Sequence, residues 1–254
     1  MMSQFVHDEW CGPRRPESAI LVNILAIETA TDACSCAVEF SGTITTRHRV
    51  EPRRHTELLL PMIDEVLADA EADLGALDAI AFGRGPGSFT GLRIACSVAQ
   101  GLGFGAGRPL VAVSTLQVIA AGMQRARGTP RVLVALDARM GELYWGGFEW
   151  DGVTMVPAFE ESVVSPAAVH RPDAGEWAGA GSGWIAHRAA LEERVANRLG
   201  RSPEPVDAAR LPRASDMLVP ARLALEAGLA VAPEDAAPVY LRSRVARAAP
   251  KRLV

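Results

Sequence analysis

One lysine, Lys251, stands against 25 arginines in the 254 residues, so arginine carries nearly all the positive charge. We read that bias as a matter of codon usage. No basic surplus accompanies it, because the formal net charge is −4. A free-standing nucleic-acid binder usually carries such a surplus, so any RNA contact is expected to be local or lent by a partner. No run approaches the ~18 consecutive apolar residues that a membrane-spanning helix needs. The first twenty or so residues also lack the apolar centre of a secretory signal. Cysteine is scarce: Cys11, Cys34, Cys36 and Cys96. Cys34 and Cys36 would share one face of a strand, a poor geometry for a mutual disulfide. No second close pair completes a zinc site, and reduced thiols in the cytoplasm are the plain expectation. The five histidines (His7, His48, His55, His170, His187) are scattered.

What is present is ordinary for a soluble globular protein, with 49% hydrophobic and 22% charged residues. An apolar run at 23–29 reads as a buried strand, and 34–40 and 43–50, joined at Ser41-Gly42, complete an antiparallel meander. A helix at 55–70, a strand at 78–82, a helix opening at Ser88 or Phe89, a strand at 110–113 and a helix from Thr115 follow. The second half restarts with strands at 132–136, 142–148 and 153–156. A short helix near 166–170, a strand near 176–180 and helices near 184–199 and 214–227 come after. The order βββαβαβα, followed by a second meander of strands, resembles the duplicated actin-like (ribonuclease H-like) α/β fold, with two lobes and the second reduced. We place an extension at 1–21, the first lobe at 22–125, the second at 126–213 and a basic tail at 242–254. The helix at 214–228 is expected to return to the first lobe. The tail is read as a solvated end, with a tRNA-phosphate contact as the alternative.

The most informative stretch is GRGPGSFTGLRI at 83–94. Its glycines let the backbone approach a neighbour closely. A helix starting there offers unpaired N–H groups to an anion or a protein contact, and Ser88 reads as its N-cap. Arg84 and Arg93 flank the turn; such arginines commonly serve as surface ion-pair residues, or they could grip a partner's carboxylate or a phosphate, with Gly87, Ser88 and Glu28, the carboxylate that ends the first strand, as further candidate nucleotide or anion contacts. In the helix before it, Leu59, Ile63, Val66, Leu67 and Ala70 form a stripe, with Leu58, Leu60 and Met62 outside or beside it. That arc is wider than one sheet contact requires. Pro61 should kink the helix or mark a restart, because it removes one N–H. Gly91, Ala95, Ala99 and Gly103 recur every four residues, a ridge that lets helix axes approach closely. Either ridge or arc could serve the chain's own core or a partner.

Enzyme signatures fall short. The hairpin after Glu28 has no glycine to cradle phosphate, and the turn at 137–141 offers Asp137 and Gly141 at unusual spacing. Gly179-Ala-Gly-Ser-Gly183 is not followed by Lys-Ser/Thr. Ser88 and Ser114 have no evident His/Asp partners, and a Gly-x-Ser-x-Gly elbow is absent. His55 is expected to be hydrogen-bonded locally at a helix start.

The motif at 83–94, with ILAIETATDACS at 24–35, HTELLLPM at 55–62 and LDARMGELYW at 136–145, resembles the TsaB (YeaZ) family. These are small paralogues of the TsaD subunit of bacterial tRNA threonylcarbamoyladenosine synthesis. The resemblance runs from about residue 23 to about 245. It implies a non-catalytic dimerisation subunit that binds TsaD, with the ATPase TsaE as a further partner. The tRNA is reached indirectly, no membrane is involved, and a homodimer forms when the chain is alone. No cofactor is implied, beyond ATP or ADP at the surface shared in the complex. TsaD holds a metal with His-x-x-x-His, whereas here His55 is followed by Leu59. The resemblance places the interface on Leu59, Pro61, Met62, Ile63, Val66, Phe89, Leu92, Ala95 and Ala99. Tryptophan at Ala95 should then break pairing and spare the fold. An actin-like ATPase or small-molecule kinase acting alone is the alternative. A peptidase is a third reading, opposed by the missing second histidine.

Overall fold

The computed structural model describes residues 21–242. The extension at 1–21, save Leu21, and the basic tail beyond Arg242 lie outside the described residues.

The first sheet has the order β3-β2-β1-β4-β5. Strand β1 (Ile24–Glu28) is wholly buried and pairs antiparallel with β2 (Ala33–Phe40) and parallel with β4 (Ala79–Gly85). The turn at Ser41-Gly42 leads to β3 (Thr43–Val50), and β5 (Leu110–Ser114) closes the parallel side. A central strand covered on both faces needs a continuous apolar run, which is what residues 24–27 supply.

Helices α1 (His55–Asp69) and α2 (Phe89–Ala106) cover one face of this sheet. Pro61 lies inside α1, which runs unbroken from His55 to Asp69, so the helix does not restart there. The other face is covered by a 3-10 turn (Ala214–Met217) and a late helix, Leu218–Glu226. Met217, Leu218 and Ala221 meet Ile24, Ala26 and Val111.

The second sheet repeats the plan. Strands β6 (Arg131–Arg139), β7 (Glu142–Trp150) and β8 (Met155–Val164) form the meander. Parallel to β6 run only the short β9 (Ala178–Ala180) and β10 (Val206–Asp207). The order β8-β7-β6-β9-β10 mirrors the first sheet, and the fold is the duplicated actin-like α/β arrangement with a reduced second half. Helices α4 (Gly183–Ala186) and α5 (Arg188–Leu199) cover one face, and the late helix Leu218–Glu226 is α6. Trp145 of β7 and Trp184 of α4 lie with ring centroids 6.0 Å apart. Their indole N–H groups donate to the His170 and Leu133 carbonyls.

Helix α3 (Thr115–Arg127) belongs to both halves. Val118 joins the first lobe's core, whereas Leu116, Ile119, Ala120 and Met123 pack on Val132, Val134 and Phe148 of the second. A boundary at 125/126 therefore falls inside the last turn of a helix that the two sheets share.

Candidate functional site

The glycines of the 83–94 motif let β4 and α2 press against the turn after β1. A β-carbon at Gly83 would overlap the Glu28 carboxyl, one at Gly87 the Ala30 carbonyl and one at Gly91 the Thr29 carbonyl. Hydrogen bonds fasten the approach: Ser88 N–H donates to Ala30 O (2.7 Å) and Thr29 Oγ1 to Gly91 O (2.7 Å). Ser88 caps α2, its hydroxyl accepting from Gly91 N–H (3.3 Å). The chain's own turn thus occupies much of the space that an anion at this helix start would need.

Glu28 is fully buried beneath Gly83. Its carboxyl accepts from Ala30 N–H (2.7 Å) and the Thr115 hydroxyl (3.0 Å). Burial pushes its pKa up to about 7, against the opposing pull of these hydrogen bonds. Both oxygens are committed inside the protein, so Glu28 does not face a solute. Arg84 of β4 reaches the second lobe and pairs with Glu161 of β8 at 3.5 Å. Glu161 also accepts from Ser114, the N-cap of α3. Burial raises the Glu161 carboxyl, opposed by the Ser114 hydroxyl and the Arg84 charge. Ser114, for which the sequence shows no evident His or Asp partner, thus joins the lobes through Glu161, which nothing in the sequence marked as its partner.

His55 is buried, and its Nε2–H donates to Thr31 O (2.9 Å), a contact 24 residues away in sequence rather than a local one. At the place of TsaD's second histidine, Leu59 is 1% exposed and packed in the core. A hydrocarbon there leaves His55 as the sole donor of that pair, so these residues do not fit the metal that a His-x-x-x-His pair holds.

The arc and ridge turn inward. Leu59, Met62, Ile63, Val66, Leu92, Ala95 and Ala99 are at most 2% exposed and pack on the chain's own first sheet. Residues so enclosed cannot themselves touch a partner, which corrects their placement at the interface. Ala95→Trp would overpack this core rather than spare it. Pro61 and Phe89 do face outward.

Beside them lies a groove of about 450 Å³ between the N-terminal halves of α1 and α2, lined by Thr56, Leu60, Phe89, Arg93, Ile94 and Ser97 among others. Leu60 is 50% and Phe104 81% exposed. Along the outer side of α2, Gly101 and Gly105 have nothing within 4 Å of a constructed β-carbon. A final strap crosses α2: Ala236 O accepts from Gln100 (3.1 Å), Val239 N–H donates to Arg84 O (2.8 Å), and Arg242 pairs with Glu142 of β7. Sequence periodicity could not reveal this strap, because it has no regular structure and its partners lie some 100 or more residues away.

A family model described as TsaD, tRNA N6-adenosine threonylcarbamoyltransferase, matches residues 49–249. The "tRNA threonylcarbamoyladenosine biosynthesis protein TsaB" of Escherichia coli K12 is 43% identical over 229 residues, 89% of this chain and 96% of its own. The chain belongs to the TsaB family. The TsaB of Haemophilus influenzae is 34% identical over 238 residues, 88% of this chain and 95% of its own. The solved structure of YeaZ from Pseudomonas aeruginosa is 43% identical and superposes with a TM-score of 0.79, covering 87% of this chain and all of that one. Membership in this family ties the chain to tRNA threonylcarbamoyladenosine biosynthesis, and the TsaD model's match reflects the paralogy of the two families. No described helix is long and apolar enough to cross a membrane.

Proposed function

We propose that this chain is a non-catalytic dimerisation subunit that binds a TsaD-like transferase through the outer faces of α1 and α2. The complex, served by a TsaE-like ATPase, moves a threonylcarbamoyl group onto the adenosine beside the tRNA anticodon. Alone, the chain pairs with a second copy through the same faces, since a self-complementary patch favours two-fold pairing.

The observation that carries this reading is Gly101. A glycine in a helix interior costs about 1 kcal/mol relative to alanine. Its β-carbon position is open, so nothing in the described chain requires glycine there. Close approach of a partner's backbone would require it. The adjoining groove, with Leu60 and Phe89 half exposed at its rim, supplies apolar area for the same contact. Of the candidate nucleotide contacts, Glu28 is enclosed and Arg84 is already paired, which leaves Arg93 as their free cation among the described residues, so a nucleotide at the shared surface would need further groups from the partner. The net charge of −4 fits a subunit that reaches tRNA only through the complex.

Binding only the competent state of the transferase would raise that state's population. The test is tRNA modification in vitro by TsaD and TsaE, with and without this chain, alongside its ATP turnover alone. Strong dependence on the added chain, with no turnover of its own, is expected. Full modification in its absence would refute the reading.

A further inference from the structure

Arg93 is an exposed cation held in place without a counter-charge among the described residues. Its guanidinium carbon lies 3.9 Å from the centroid of the Phe89 ring, and its Nε–H donates to the Tyr240 hydroxyl at 3.3 Å. The Phe89 and Tyr240 rings are themselves 5.5 Å apart. Two aromatic contacts therefore fix the fork, yet no carboxylate among the described residues pairs with it. Two arginines that flank α1 differ, since Arg47 holds Glu65 and Asp69 and Arg54 holds Glu51 and Glu57. Arg53, exposed just before α1, has no carboxylate partner among the described residues, but it lies outside both helices.

An unused carboxylate lies on the neighbouring helix. Asp64 is exposed on α1, one turn beyond Leu60, with no hydrogen-bond or ion-pair partner among the described residues. The surface formed by α1 and α2 thus carries one uncompensated cation, one uncompensated anion and the apolar groove. A two-fold axis duplicates any contact it makes, so opposite charges on one face can satisfy each other twice. Arginine and aromatic residues are also the side chains most often dominant in interfaces.

We propose that Arg93 pairs across the seam with Asp64 of a second copy of this chain. The inference rests on the pairing surface proposed above and assigns its charge register. A polyanion is the poorer fit, because a phosphate backbone is held by several cations and this groove offers one.

The full chain is tested by sedimentation equilibrium as wild type, Arg93→Glu, Asp64→Arg and the double reversal, with circular dichroism melts to establish folding. Each single reversal should weaken pairing about tenfold, because two symmetric contacts change at once. The double reversal should return to within about threefold of wild type. The gap between wild type and Arg93→Glu should close at about 1 M salt, where screening is complete within a few ångströms. Wild-type pairing with unaffected single variants would overturn the charge register and leave the surface standing. Single losses without rescue would overturn Asp64 as the partner. A wild type that stays monomeric at every concentration would remove the surface itself, and tRNA modification would then report separately on the transferase contact.

Discussion

Thr29 and Gly91 clasp each other. The Thr29 hydroxyl donates to the Gly91 carbonyl at 2.7 Å, and the Thr29 carbonyl fills the place where a side chain at 91 would begin. The start of α2 is thereby set by the turn after β1. Neither side of this contact can give, since both are backbone within a buried core. Gly91→Ala should cost at least about 3 kcal/mol, through the overpacking that cores resist. A melting temperature lower by about 6–12 °C is expected in a protein of this size. A drop below about 2 °C would mean that the turn and helix separate easily.

The buried Glu28 gives a pH signature. Its folded pKa of about 7 lies above the ordinary value of 4.5. Stability from this group is therefore fully present below about 4.5 and is lost as pH rises through 7. Glu28→Gln keeps an acceptor for Ala30 N–H and offers a donor to Thr115, without charge. Relative to wild type it should gain on the order of 3 kcal/mol at pH 8 and nothing near pH 4. Denaturant unfolding at both pH values measures the difference, and a constant offset would show that Glu28 titrates normally.

Gly101→Trp tests the outer seam. The site is open, so the variant should melt within about 2 °C of wild type. Light scattering should show a monomer, and tRNA modification with TsaD should fall at least about tenfold. Unchanged pairing would move the interface off α2.

Removing the Tyr240 ring should loosen the strap rather than the fold. Tyr240→Ala loses the Phe89 stack and the Arg93 hydrogen bond, about 1 kcal/mol for a half-exposed pair. Amide exchange should quicken at Val239, whose N–H donates to Arg84 O, and remain slow in β1. Equal protection in both proteins would show that Gln100 and the backbone hold the strap alone.

The strands and helices were legible because burial writes a period into the sequence. Residues 24–28 are apolar at every position save the last, and the structure buries all five. The same periodicity marked the Gly91–Ala95–Ala99–Gly103 ridge but could not say on which side its contact lay. The structure puts it against Leu110 and the first sheet, where β-carbon space is already taken at Gly91 and Gly103. The outward positions, Gly101 and Gly105, break no local rule except the cost of glycine in a helix, so they passed unnoticed. Glu28 stood out as a carboxylate at a strand end, yet its enclosure depends on Gly83 and Thr115, 55 and 87 residues later. Such contacts are set by topology and leave no local trace.

The paired tryptophans of the second lobe have a practical corollary. All four described indoles (Trp145, Trp150, Trp177 and Trp184) sit on that side of α3. Their emission reports the smaller lobe, whereas helical ellipticity draws heavily on α1 and α2. Comparing the two optical melting curves would therefore reveal whether the halves come apart together or in sequence.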